Sequence, residues 1–328
     1  MGIEERGLGP SDLRAARQRV HRGARVTPLI VSETLAERLG CPVALKCESL
    51  QVGGAFKIRG ATNFTCRAIE EGRPGGLITY SSGNHAIAVS IAARRAGIPA
   101  VVVMPETALP LKVQLARDHG AEVHFRGTTS LERRALAESI GKERGLTMVP
   151  PFDHPWIVAG QASCATEILE QMPEVETIVV PVGGGGLLSG IALACGYHRA
   201  RIHVIGAEPE GAACMAASLR AGAPVTLASV GSIADGLLPS RPGGLNFALA
   251  QRFVADIVTV SDDAIRAAAL WLLRSEHLLA EWSGAAAVAA LLTGAVRGPA
   301  GPTAAVVSGG NIEPRALLDA AEPAARAT

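Results

Sequence analysis

Hydrophobic residues in this chain fall into short, nearly continuous aliphatic runs that alternate with longer stretches of helical periodicity. Such runs are typical of buried strands. They predict strands at residues 42–47, 76–80, 99–104, 121–125, 177–182, 201–207, 256–260 and 303–307. The longer stretches predict helices at residues 57–70, 86–96, 110–119, 131–144 and 157–171. Because strands separated by helices are typical of parallel sheets, the sequence predicts an α/β fold.

Four consecutive glycines, Gly183, Gly184, Gly185 and Gly186, separate the predicted strand 177–182 from an apolar helix. Glycines let backbone N–H groups approach a ligand closely, and a helix N-terminus adds unpaired donors and partial positive charge. The segment therefore predicts a phosphate-binding loop.

The residues around the glycines indicate which kind of phosphate-containing ligand the loop would bind. A nucleotide P-loop needs Lys-Ser/Thr after its last glycine, and two leucines follow here, which excludes it. A dinucleotide fingerprint is approached, with Glu208 lying 22 residues beyond Gly186, but Ser189 occupies its third glycine position. A nicotinamide cofactor is therefore less favoured than a small phosphorylated cofactor. The uncharged run 177–197 could span a bilayer, but the glycines and Pro181 would break such a helix.

The composition excludes several kinds of partner. The formal net charge is +1 and no long basic run is present, so neither nucleic acid nor an anionic membrane is expected. Residues 1–20 are charged and lack the apolar stretch of a signal peptide. The six cysteines show no metal-finger spacing, which predicts reduced thiols and a cytoplasmic location.

Polar turns of small residues follow three predicted strands, at residues 81–85, 183–186 and 308–311. Ligands of parallel sheets bind at the carboxyl ends of strands, so one shared site is expected there. Lys57 begins a predicted helix between apolar neighbours. Because desolvation and a helix N-terminus both favour a neutral amine, Lys57 is a candidate for Schiff-base chemistry.

Four segments carry a resemblance to a known family. In chain order they read Phe56-Lys57-Ile58-Arg59-Gly60, Ser81-Ser82-Gly83-Asn84-His85, Gly183-Gly184-Gly185-Gly186 and Ser308-Gly309-Gly310-Asn311. The set resembles the fold-type II pyridoxal 5'-phosphate (PLP) enzymes, of the serine/threonine dehydratase and serine racemase family. The resemblance implies two parallel-sheet α/β domains with the cofactor between them. Residues 1–68 and 152–328 would form the large PLP-binding domain, and residues 69–151 a small mobile domain.

The same resemblance implies roles for individual residues toward the cofactor. Lys57, with Phe56 beside it, would bind PLP as a Schiff base and then act as the base at the substrate Cα. Asn84 would hydrogen-bond the ring hydroxyl, and Ser308 would face the pyridine nitrogen. Asn84 could at the same time be the N-cap of the helix 86–96. The phosphate would bind backbone amides of five residues: Gly183, Gly184, Gly185, Gly186 and Leu187.

The substrate is expected at a helix N-terminus that suits a carboxylate, formed by Ser81, Ser82, Gly83, Asn84 and His85. The implied reaction is β-elimination of a 3-hydroxy amino acid, such as L-threonine or L-serine, to a 2-oxo acid and ammonia. Ser82 could also be a second catalytic base opposite Lys57, so a serine or amino-acid racemase stays an alternative. β-Replacement is less expected, because those enzymes look like Ser-Gly-Asn-Thr.

Two departures from the family pattern leave the substrate open. Trp282 follows Glu281 where proline is usual, and Ala55 replaces a frequent serine. A modified substrate, such as 3-hydroxyaspartate or a hydroxyectoine-derived amino acid, is therefore a further alternative. Outside this chemistry, the rivals are a nicotinamide-dependent oxidoreductase and a non-catalytic amino-acid sensor.

A cation site and a homodimer are also implied by the resemblance. In the racemase branch a divalent cation follows the Gly-Ala-Glu-Pro strand, where Glu208 and the carbonyl of Ala212 match. Cys214 stands where the second acid would be, and Mg²⁺ or Ca²⁺ prefers oxygen. A divalent cation, a monovalent cation and no cation therefore all stay open.

Overall fold

Two sheets organise the chain in this computed structural model, which describes residues 7–72, 75–198, 202–299 and 301–321. The larger sheet has the strand order Leu29–Val31 (β1), Val43–Cys47 (β2), Thr303–Val307 (β10), Thr177–Pro181 (β7), His203–Pro209 (β8) and Asp256–Val260 (β9). β1 pairs antiparallel with β2, and the other pairs are parallel. The smaller sheet is parallel, in the order Glu122–Phe125 (β5), Ala100–Met104 (β4), Leu77–Tyr80 (β3) and Thr147–Met148 (β6).

Helices connect the strands and cover both faces of each sheet. They are Pro10–Val20 (α1), Glu33–Leu39 (α2), Lys57–Glu70 (α3), Asn84–Ala96 (α4), Pro110–Asp118 (α5), Ser130–Arg144 (α6), Pro155–Gln171 (α7), Gly186–His198 (α8), Cys214–Ala221 (α9), Gly244–Phe253 (α10), Asp262–Ser275 (α11), Trp282–Leu292 (α12) and Pro314–Ala321 (α13). Within the described residues, no helix combines the length and apolar character needed to cross a membrane.

β7 shows why its sequence is continuously apolar. Ile178 and Val180 lie in the buried cluster that contains α7 and α8, whereas Val179 lies in the cluster that contains α11 and α12. Successive strand residues point to opposite faces, and both faces here are covered by helices. Every position of β7 is therefore buried.

α3, the helix that begins at Lys57, packs unusually closely on α7. A Cβ on Gly160 would lie 2.7 Å from the Cα of Gly60 and 2.8 Å from the carbonyl oxygen of Arg59. On either side of this contact, Ile58 and Phe64 of α3 join the apolar cluster of the smaller sheet. The position of α3 is therefore fixed both by its contact with α7 and by its packing in the cluster of the smaller sheet.

The predicted α/β fold is confirmed, with differences at the element ends. Each predicted strand and helix is present, and α3 has the predicted bounds. β1 and β6 were not predicted, because three-residue and two-residue strands leave little periodicity. The predicted N-cap role of Asn84 is wrong, since α4 begins at Asn84 and its N-cap is Gly83. Arg201, at the start of a predicted strand, lies outside the described residues.

The strands of the smaller sheet all lie between residues 77 and 148, inside the predicted small domain. The boundaries at residues 68/69 and 151/152 stay a prediction. Residues 1–6 and 322–328 of the predicted large domain lie outside the described residues.

Candidate active site

The four lysines of the chain occupy very different surroundings. Lys46 and Lys112 are buried in ion pairs with carboxylates, and Lys142 is exposed. Lys57 is half-buried, and its Nζ donates a hydrogen bond to the carbonyl oxygen of Pro151 at 2.8 Å. Among the described residues it has no carboxylate partner, and burial lowers the pKa of Lys57 to about 8. Lys57 is thus the lysine best suited to act as a nucleophilic amine near neutral pH.

Ser308, at the carboxyl end of β10, is joined directly to the Lys57 segment. The backbone N–H of Phe56 donates to the carbonyl oxygen of Ser308 at 3.1 Å, and Ala55 forms a β-bridge with Gly309. The Ser308 side chain is buried, and its hydroxyl makes no hydrogen bond with the described residues. An unpaired hydroxyl on a buried residue therefore lies one residue before Gly309, the bridge partner of Ala55.

The glycine loop presents free backbone donors. Among the described residues, none accepts a hydrogen bond from the amides of residues 183–187. The loop is also closely packed: a Cβ on Gly184 would lie 2.5 Å from the ring of Phe152, and Gly185 has φ +94°. Phe152 follows Pro151, the acceptor of the Lys57 hydrogen bond, so the loop lies beside Lys57. Unpaired amides at a helix N-terminus suit a phosphate.

The predicted substrate loop at residues 81–85 ends at the N-terminus of α4. Ser81 Oγ accepts a hydrogen bond from the amide of Gly83 at 3.1 Å, and Ser82 Oγ donates to the carbonyl oxygen of Asp235 at 3.4 Å. Among the described residues, none accepts a hydrogen bond from the backbone N–H groups of residues 84–86. A second group of free donors therefore faces the site, on the side of the smaller sheet.

The side chain of His85 is occupied by a structural contact. Its Nε2 lies 3.2 Å from the carbonyl oxygen of Val149, and the residue is buried. Burial, together with the nearby positive charge of Lys57, lowers the pKa of His85 to about 3. The imidazole therefore stays neutral, and the backbone N–H is the His85 group that a carboxylate can use.

Asn84 and Asn311 connect the substrate loop to the larger sheet. Asn311 Nδ2 donates to Asn84 Oδ1 at 2.9 Å and to the carbonyl oxygen of Gly53 at 2.8 Å. Asn84 Nδ2 donates a short hydrogen bond to a carboxylate oxygen of Glu281. The loops at residues 53–57, 81–85, 183–187 and 308–311 thus meet in one region, as the shared strand-end prediction requires.

Comparison with known proteins identifies the fold and its chemistry. Residues 20–309 match the family described as pyridoxal-phosphate dependent enzyme. The chain belongs to this family. It is 40% identical over 305 residues to the L-threonine ammonia-lyase of Geobacter sulfurreducens, which covers 93% of this chain and 76% of that one. The catabolic L-threonine dehydratase of Escherichia coli (strain K12) is 37% identical, with 92% of both chains covered.

The solved structure of maize serine racemase has the same architecture, with a TM-score of 0.89, 34% identity and 94% of each chain covered. These matches confirm the predicted PLP-dependent enzyme family, its α/β fold, its cofactor and its place among the serine/threonine dehydratases. The roles predicted for single residues do not follow from overall similarity. They depend on the geometry described above.

The predicted cation ligand Glu208 is engaged by the protein itself. Its two carboxylate oxygens accept hydrogen bonds from the amides of Met215 and Ala216, each at 2.8 Å, at the N-terminus of α9. Burial raises the pKa of Glu208 to about 7. No group of three His, Cys, Asp or Glu side chains in the described part of the chain is placed to hold a metal. A cation at Glu208 and Ala212 stays a prediction.

Two buried charge clusters in this PLP enzyme were not predicted from the sequence. One contains Lys112, Asp235 and Glu281 at the site, and the other includes Arg59 of α3. Charged residues in helical patterns are usually solvated, so the pattern gave no signal of burial. In the second cluster Arg59 and Lys46 pair with two carboxylates at 2.6–2.7 Å, and all four side chains are at most 1% exposed; its acids are Glu48 and Glu167.

Proposed function

We propose that this PLP enzyme is an ammonia-lyase for 3-hydroxy amino acids, acting on L-threonine or L-serine. The observation that carries the proposal is the position of Lys57 beside a loop of unpaired amides: the lysine is half-buried, and no described residue gives it a carboxylate partner. The similarity to L-threonine ammonia-lyase over most of both chains supports the same reaction.

The groups around Lys57 fit the parts of the cofactor. The free amides of residues 183–187 would hold the phosphate, as at other helix N-termini. The unpaired hydroxyl of Ser308 would face the pyridine nitrogen, and the amide of Asn84 would bind the ring hydroxyl. Lys57, beside Phe56, would bind the aldehyde carbon. Each contact uses a donor or nucleophile that the described residues leave available.

Bound there, PLP supplies an electron sink for the charge that develops at the substrate Cα. The N–H groups at the start of α4 would hold the substrate carboxylate, where the helix dipole favours negative charge. Once the substrate amine has displaced it, the freed Lys57 Nζ would take the Cα proton, and the β-hydroxyl would leave with a proton as water. Hydrolysis of the enamine product would then release the 2-oxo acid and ammonia. A hydroxyl at Ser308, rather than a carboxylate, does not stabilise a protonated ring nitrogen. The weaker electron sink favours elimination over reactions that need a long-lived carbanion.

Racemisation is the second candidate, because Ser82 lies in the loop expected to bind the substrate carboxylate. Its hydroxyl donates only a long hydrogen bond, 3.4 Å, to the carbonyl oxygen of Asp235. A hydroxyl on the face opposite Lys57 could exchange the Cα proton, which a lyase does not require. The similarity to maize serine racemase supports this alternative.

The experiment is a substrate panel with the purified, PLP-loaded protein: L- and D-threonine, L- and D-serine and 3-hydroxyaspartate. Ammonia, 2-oxo acid and enantiomer ratio are followed together. Equal release of ammonia and 2-oxo acid, absent in Lys57→Ala, supports the lyase. Enantiomer exchange without ammonia, lost in Ser82→Ala, favours the racemase. No product from any substrate would contradict both proposals.

A homodimer in the cytoplasm remains part of the proposal. The family resemblance supports the homodimer. The six cysteines, all of which are free, support the cytoplasmic location. Sedimentation of the purified protein at micromolar concentration tests the dimer, and a monomer at that concentration would contradict it.

A further inference from the structure

Lys112 is a buried positive charge that links α5 to two acids from distant parts of the chain. It belongs to α5, beside the smaller sheet, and its side chain is 1% exposed. Its Nζ lies 2.7 Å from Asp235 and 2.9 Å from Glu281. Asp235 lies between α9 and α10, and Glu281 immediately precedes α12. The charges of these two acids raise the pKa of Lys112 well above its usual range, so the ammonium persists at any pH used for assay.

Glu281 is buried, and its two carboxylate oxygens face different partners. Oε2 faces the Lys112 ammonium at 2.9 Å, and Oε1 accepts the short hydrogen bond from Asn84 Nδ2. Burial raises the pKa of Glu281, and the adjacent ammonium opposes that shift. Since Oε1 accepts a hydrogen bond and Oε2 is in an ion pair with an ammonium, the contacts suit the ionised carboxylate.

These contacts fix the orientation of the Asn84 amide. The Oδ1 atom is taken up by the donor Asn311 Nδ2, and one Nδ2 hydrogen is directed to Glu281. If the amide were flipped, its oxygen would face the carboxylate and its NH₂ group would face another NH₂ group. The second Nδ2 hydrogen is left without a partner among the described residues. Asn84 therefore has a hydrogen-bond donor available for a further ligand.

We propose that Glu281, paired with Lys112, is a positioning residue that holds Asn84 as a hydrogen-bond donor toward the cofactor ring oxygen. This inference rests on the proposed role of Asn84 at the PLP ring. A donor at that oxygen stabilises its anionic form and so favours the conjugated lysine–cofactor Schiff base that absorbs visible light. Glu281 itself acts only through the asparagine.

The variant Glu281→Gln tests the inference with little change in shape. The oxygen of the new side-chain amide would face the Lys112 ammonium. The NH₂ group of that amide would then lie against the NH₂ group of Asn84. Asn84 would then rotate or lose its contact. We expect the PLP-loaded variant to lose visible absorbance in favour of the near-ultraviolet band. We also expect kcat to fall roughly tenfold or more, with a smaller change in KM.

Asp235→Asn is the matched control, because Asp235 also pairs with Lys112 but, among the described residues, makes no hydrogen bond with Asn84. Its spectrum should stay like that of the unaltered protein. In a double variant, Glu281→Gln combined with Asn84→Ala should match Asn84→Ala alone, because both changes remove the same donor.

The outcomes separate this inference from the proposed function. If the unaltered protein shows lysine-bound PLP and lyase activity while Glu281→Gln has an unchanged spectrum, the positioning role is wrong and the proposed function stands. An equal spectral change in Asp235→Asn, or additive changes in the double variant, would also overturn it. Should Glu281→Gln fail to fold, Lys112→Gln is measured, and an unchanged spectrum there would contradict the inference. Absence of lysine-bound PLP in the unaltered protein would instead sink the proposed function.

Discussion

At the scale of single residues, counter-charge decides which lysine can do chemistry. Lys46 and Lys112 each lie within 2.9 Å of a carboxylate, in a buried ion pair. Lys57 has a backbone carbonyl as its hydrogen-bond partner and a lowered pKa. The sequence predicted Lys57 from its apolar neighbours and family motif. It could not show that Lys46 and Lys112 are paired with carboxylates, since those partners lie far away in the chain.

Schiff-base formation in the cofactor-free protein should follow the titration of Lys57. Below its pKa of about 8 the ammonium must lose a proton before the amine can attack. The observed rate with free PLP should therefore rise about tenfold per pH unit below that value and level off above it. Stopped-flow absorbance measures this rate, with Lys57→Ala as the control. A rise that continues unchanged to pH 10 would contradict the lowered pKa.

At the scale of elements, the continuous aliphatic runs predicted the long strands because those strands are covered on both faces. The short strands β1 and β6 carry too few residues for a pattern, and Lys112 occupies a helix whose pattern is typical of a solvated surface. What the sequence could not show is how closely α3 approaches α7. That approach depends on two glycines separated by about one hundred positions, Gly60 and Gly160.

Gly160→Ala should disturb the helix that begins at Lys57. The new methyl group would meet backbone atoms of Gly60 and Arg59 at 2.7–2.8 Å, and backbone cannot rotate away as a side chain can. We expect a loss of about 1 to 3 kcal/mol in the free energy of unfolding, with reduced kcat/KM. Chemical denaturation measures the loss. Gly244→Ala is the control, because apart from its chain neighbours and its own helix backbone no described atom lies within 4 Å of that added methyl. Equal effects of the two would contradict the packing argument.

At the scale of the whole molecule, two buried charge clusters tie distant segments together. Arg59, two residues after Lys57, pairs with Glu48 and Glu167, and the latter also pairs with Lys46. The second cluster, at Lys112, joins α5 to the segments that contain Asp235 and Glu281. The sequence predicted neither, because a buried network is built from residues that singly look like surface charges.

Removing one charge from the first cluster should be costly. Glu167→Gln leaves Lys46 and Arg59 buried with a weaker partner, and breaking a buried ion pair in this way costs about 3 to 5 kcal/mol. Glu138→Gln, in the exposed pair with Arg134, should change the free energy of unfolding by less than about 0.5 kcal/mol. Denaturant titration of both variants checks the difference. Similar small losses in both would show that the cluster does not stabilise the fold.

The measurement that tests the account most directly is borohydride reduction of the PLP-loaded protein, followed by peptide mapping in a mass spectrometer. Reduction turns a lysine–cofactor Schiff base into a stable secondary amine whose position can be read. We predict that the cofactor mass lies on the peptide containing Lys57 and is absent from those containing Lys46, Lys112 and Lys142. A label on any of those three lysines, or no label on a yellow protein, would contradict the assignment of Lys57.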